Sequence, residues 1–195
     1  MNFAYRAGEI NEYIINIRRH IHAHPELSFN ERKTTAYIAD KLEEMGVEVQ
    51  RFDDYTGCIG TIRGRNGGKT VLLRADIDTL PIKECSGVEF ESENDGVMHA
   101  CGHDCHTAML LGAAKLLSEH KDELRGTVKL AVPGGRGMLR RKSLLLGQRL
   151  PWRHRCGNGH ACLTHGGIRP HGHNGRLPYG KLRQFPHNRA RARSA

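Results

Sequence analysis

Past Glu123 the 195-residue chain contains no aspartate or glutamate. No carboxylate beyond that point can serve a site as base, acid or metal ligand. Valine is missing after residue 133, and isoleucine is reduced there to Ile168, so little remains from which to build a core. No apolar run approaches the roughly 18–20 residues of a membrane span. A signal-peptide core is absent too: Glu9 and Glu12 fall in the opening stretch, which favours a cytoplasmic protein. The six cysteines are too irregularly spaced for a disulfide framework, which leaves metal binding or incidental thiols.

The net charge of +9 averages two unlike segments. Residues 1–133 hold 21 acidic against 16 basic side chains, whereas residues 134–195 hold 14 basic and no acidic ones. The chain reads as an acidic globular segment, residues 1–132, followed by a basic tail, residues 133–195, expected to be disordered.

Within the first segment, Ile10, Tyr13, Ile14, Ile17 and Ile21 recur at helical spacing. A second helix is expected after Asn30 as its N-cap, with Gly46 ending it. Val47–Phe52 alternates like a strand. Cys58–Arg63 and Thr70–Ala75 flank Asn66-Gly67-Gly68 and read as a hairpin whose second run, Val71-Leu72-Leu73, suits a central strand. Cys105–Glu119 is expected to be helical, burying Met109, Leu110, Ala113, Leu116 and Leu117, and Thr127–Val132 to be a strand. Helices alternating with strands imply an α/β sandwich with a mixed sheet.

Two segments carry chemistry. Asp76 and Asp78 stand at i and i+2 where a buried strand ends, so on a strand both face one side. Like charges crowded there need a cation or hydrogen-bond donors, unless the segment is a solvated turn. His99-Ala-Cys101-Gly-His103-Asp104-Cys105-His106 packs three histidines, two cysteines and an aspartate just ahead of a helix. Cys101 and His103 can converge on one ion if the chain turns at Gly102. Asp104 could orient His103 from behind, while His106 suits a surface role equally well.

Together with Arg18–Ser28, Thr56-Gly57, Leu73–Pro81 and Ala108–Leu117, these motifs resemble the M20 peptidase family of metal-dependent amidohydrolases. The branch is that of hippurate hydrolases, N-acyl-amino-acid amidohydrolases and auxin-conjugate hydrolases. The resemblance runs from about Ile14 to Leu130. It implies the N-terminal part of a three-layer α/β catalytic domain, in which Cys101 and His103 bind metal. Asp78 matches a supporting acidic position; Asp76 stands where related branches place a metal-binding histidine. It further implies two divalent ions per intact site, zinc or manganese, a small N-acyl amino acid as substrate, and a homodimer formed through a domain not recognisable here. The ions would activate water and polarise the amide, with a glutamate as general base.

That glutamate is missing. Where the family continues Phe-Gln-Pro-Ala-Glu-Glu, this chain reads Ala131-Val-Pro-Gly-Gly-Arg-Gly137. Written GCN GTN CCN GGN GGN CGN GGN and read one nucleotide later, with the A of the Met138 codon completing the last triplet, those codons can encode Leu-Phe-Gln-Ala-Ala-Glu-Glu. The expectation is a frameshift near Ala131 and a chain without hydrolytic activity. The rival reading is non-enzymatic: a metal-binding remnant, or a basic-tailed nucleic-acid binder. Trp152, Tyr179 and Phe185 show no stacking spacing, and Cys156, His160, Cys162 and His165 match no zinc-finger spacing, which argues against both uses of the tail.

Overall fold

The computed structural model describes residues 3–135. The expected disordered tail and its Cys156, His160, Cys162 and His165 cluster lie outside the described residues.

Helix α1 spans Phe3–Glu9 and α2 Asn11–Ala23. The apolar stripe predicted for α2 is the buried one: Ile10, Ile17 and Ile21 are almost fully covered. Helix α3, Arg32–Glu44, ends where Gly46 takes a left-handed φ of +72°. Its start differs from expectation. Asn30 is not the cap; the Glu26 carboxylate accepts the Thr34 N–H at 2.8 Å, the Lys33 N–H at 3.3 Å and the Thr34 hydroxyl. A tight turn, closed by the Asn30 N–H on the Leu27 carbonyl, folds Glu26 back over the helix's first orphan donors.

Four strands follow: β1 Glu48–Arg51, β2 Gly57–Arg63, β3 Arg65–Arg74 and, after helix α4 at His103–Glu119, β4 Arg125–Pro133. They form one mixed sheet in the order β1-β2-β4-β3. β2 runs antiparallel to both β1 and β4, and β3 parallel to β4. The expected hairpin is therefore absent, because β4 inserts between β2 and β3. Gly64 N–H bonds to the Gly126 carbonyl and Arg65 N–H to that of Leu124, so the glycine-rich segment bulges along the start of β4 instead of turning β2 onto β3. Nor is β3 central among the described strands; it is an edge, and Val71 is 48% exposed.

One core joins the sheet to the helices: Ile38 and Leu42 of α3, Cys58 and Ile62 of β2, Leu130 and Val132 of β4, Ile17 and Ile21 of α2, and Ala108, Leu111 and Ala114 of α4. Met109 is not in it and is 57% exposed, a correction to the predicted helix face. The buried residues of this helix are 104, 107, 108, 110, 111, 112 and 114, and Met109 is turned about 100° from Ala108. Among the described residues no helix is long and apolar enough to cross a membrane.

Because β3 and β4 are parallel, their C-terminal ends share one edge of the sheet. The chain leaves β3 there through Asp76 and Asp78, at the edge where open α/β sheets place their ligands.

Candidate metal centre

The two aspartates part company immediately after β3. Asp76 pairs with Arg74 at 2.7 Å, and its carbonyl accepts the Thr107 hydroxyl. Asp78 turns to another partner: its carbonyl lies 2.8 Å and its Oδ1 3.0 Å from His103 Nδ1. Their expected crowding on one face does not arise, since the extended run ends at Arg74. Each carboxylate has its own donors. Ser28 steadies Asp78 from the far side by donating to Oδ2 at 3.2 Å, and a bridge between Leu27 and Thr79 holds that loop in register.

His103 opens helix α4, and the residue before it, Gly102, has φ +79° and ψ 19°. The sequence allowed a turn at this glycine, and a left-handed one is present; a side chain with a Cβ would be strained there. The acceptor on Nδ1 is a backbone carbonyl, which cannot donate, so the imidazole carries its proton on Nδ1. That leaves the Nε2 lone pair free, the tautomer a metal ligand needs. Cys101, just across Gly102, is exposed. A thiol and a tethered imidazole are donors that suit zinc, and this tethering is the observation by which the pair fits a divalent ion. Among the described residues, however, no three His, Cys, Asp or Glu side chains gather closely enough to hold one.

Asp104 does not orient His103, contrary to the sequence reading. Neighbours on a helix point about 100° apart, and Asp104 is carried inward to full burial. There it accepts His22 Nδ1 at 2.8 Å and Arg18 Nε at 3.0 Å. These contacts outweigh the cost of burial and hold its pKa below the usual carboxylate range. His106 is exposed, its ring 6.2 Å from that of His103. His99 is buried with neither ring nitrogen hydrogen-bonded, and burial drives its pKa down to about 4.

The sequence reading missed Ser28, Glu84 and the buried role of His22. Ser28 and His22 lay within a quoted motif, but nothing in their spacing named partners that lie 50 and 62 residues away. Glu84 sits in a long loop without periodicity and gave no signal at all.

Residues 72–134 match the sequence model of the Peptidase family M20/M25/M40. Over 123 residues the chain is 52% identical to thermostable carboxypeptidase 2 of Saccharolobus solfataricus, covering 63% of this chain and 31% of that protein. Over 122 residues it is 48% identical to an N-acyl-L-amino acid amidohydrolase of Geobacillus stearothermophilus, covering 62% and 33%. Among solved structures, YxeP of Bacillus subtilis, described as a dinuclear metal binding peptidase, superposes with a TM-score of 0.66 at 43% identity. That match covers 72% of this chain and 40% of the other. The chain thus spans about a third of the length of these curated relatives.

Proposed function

We propose that this chain, whose residues 72–134 match the M20/M25/M40 peptidase model, derives from a metal-dependent hydrolase of N-acyl amino acids and itself lacks the hydrolytic step. Cys101 and His103 would hold one side of a divalent ion, zinc or manganese. The observation that supports this most directly is the clamp of Asp78 on His103 Nδ1, one left-handed glycine away from an exposed thiol. When bound, such an ion supplies Lewis acidity toward an amide carbonyl.

The other roles belong to the protein's own groups. Asp78 fixes the His103 tautomer and ring plane, and Ser28 fixes Asp78. Gly102 makes the left-handed turn between the thiol and the imidazole. No acidic residue follows Glu123, so the segment after β4 offers no carboxylate to take a proton from the attacking water. The family match stops at residue 134, where the composition changes, and codons for Ala131–Gly137 read one nucleotide later can encode a Glu-Glu pair just beyond it. Residues from about Ala131 onward are therefore read out of frame.

Sequencing the gene across the codons for Leu130–Lys142 tests this. One missing or extra base is expected, and a single uninterrupted frame in independent reads would overturn the frameshift. The purified chain, loaded with Mn²⁺ or Zn²⁺, is expected to release no amino acid from N-acetyl or N-benzoyl substrates. Metal-dependent turnover would refute the claim that the step is missing.

A further inference from the structure

Both ring nitrogens of His22 face carboxylates. Nδ1 lies 2.8 Å from Asp104 Oδ2, and Nε2 lies 2.9 Å from Glu84 Oε1. All three side chains are almost completely buried: 7% exposed for His22, 2% for Glu84 and 1% for Asp104. A neutral imidazole can donate only once, and its second nitrogen would set a lone pair against a buried carboxylate. The pair of contacts therefore needs one more proton, on the ring or on an acid.

Further donors decide where it sits. Asp104 Oδ2 also receives Arg18 Nε. Glu84 receives the Ser86 hydroxyl on Oε1 and the Ser92 N–H on Oε2. Such donors favour the ionised carboxylates, so the extra proton belongs to His22. Arg18 and His22 then balance Asp104 and Glu84, leaving a buried cluster without net charge. The remaining neighbours agree. The ring of Phe90 stands edge-on to His22 at 5.5 Å, with the Arg18 and Arg19 guanidiniums over its face. Cys105 lies beside Arg18, and His99, 6.2 Å from the His22 ring, makes no hydrogen bond that competes.

The two carboxylates belong to the segments that carry the candidate centre. Asp104 follows His103 directly. Glu84 lies in the loop between Asp78 and His99, whose base is closed by paired hydrogen bonds between Leu80 and Met98. We propose that His22 is a positioning residue that acts as a buried imidazolium, pinning through Asp104 and Glu84 the two segments that present Asp78, Cys101 and His103. This rests on the metal-centre reading above.

The test reads the ring nitrogens of His22 in the ¹⁵N-labelled full chain at pH 8. Both are expected at protonated shifts; a neutral His22 overturns the imidazolium. Co²⁺ binding to the same chain is the second readout. Glu84→Gln is expected to leave His22 neutral at pH 8 and to weaken Co²⁺ about tenfold, within the range usual for groups that support metal ligands. Glu93→Gln, on the exposed side of the same loop, should change neither. If Glu84→Gln does not fold, Ser86→Ala removes one donor from Glu84 and should give a smaller loss in the same direction. Unaltered Co²⁺ affinity in the variant that folds overturns the positioning role. A chain that never binds Co²⁺ sinks the metal-centre reading itself, whatever the state of the ring.

Discussion

His103 Nδ1 is hydrogen-bonded to the Asp78 carbonyl with the Asp78 carboxylate 3.0 Å away, and this contact makes the residue-scale predictions sharp. Asp78→Asn keeps the shape and the carbonyl but removes the carboxylate charge beside Nδ1. A 10- to 100-fold loss of Co²⁺ or Zn²⁺ affinity is expected by titration. Cys101→Ser should abolish the thiolate-to-Co²⁺ charge-transfer band, whereas Cys105→Ser should keep it. Acid stability follows from the buried cluster. Burial alone would raise the Glu84 pKa, but His22, Ser86 and Ser92 bring it down to about 2. With the folded value depressed, its contribution is present above the unfolded carboxylate range and is lost as pH falls from there toward 2. For His22, burial lowers the pKa but the two carboxylates more than reverse this, and the net shift is upward. Its contribution is complete below the ordinary histidine value and is lost as pH rises through the elevated one. Urea unfolding across pH should give a stability maximum between these limits, and Glu84→Gln should flatten both sides.

At the scale of elements, contact between α2 and α4 depends on a missing side chain. A Cβ at Gly112 would stand 2.7 Å from Ile14 Cδ1 and 2.9 Å from its Cγ1. Gly112→Ala should cost about 1–3 kcal/mol by overpacking, even though alanine is the better helix former. Glu26→Ala removes the cap of α3 and should cost about 1 kcal/mol in denaturant midpoint measurements. The helices were legible in the sequence because their signals are local: the Ile17–Ile21 spacing and the glycine stop at 46. Helix faces and strand order were not. Met109 faces solvent because tertiary contact chose the 104–108–111 stripe, and β4 separates β2 from β3 although 50 residues lie between the end of β3 and its start.

For the whole molecule, the charge break and the end of the family match coincide. Deleting residues 136–195 should leave Co²⁺ affinity and the pH dependence of unfolding unchanged, because every contact invoked for them lies in residues 3–135. Loss of metal binding on that deletion would show that the basic segment supplies ligands.

The sequence by itself determined which residue types were on offer: a thiol and an imidazole across one glycine, two aspartates past a strand, and no later carboxylate. Those are covalent facts of order and spacing. Which aspartate serves the imidazole was decided only in three dimensions. The helix turns Asp104 away from its neighbour His103 and buries it against Arg18 and His22, while the end of β3 carries Asp78 across 25 residues to take its place.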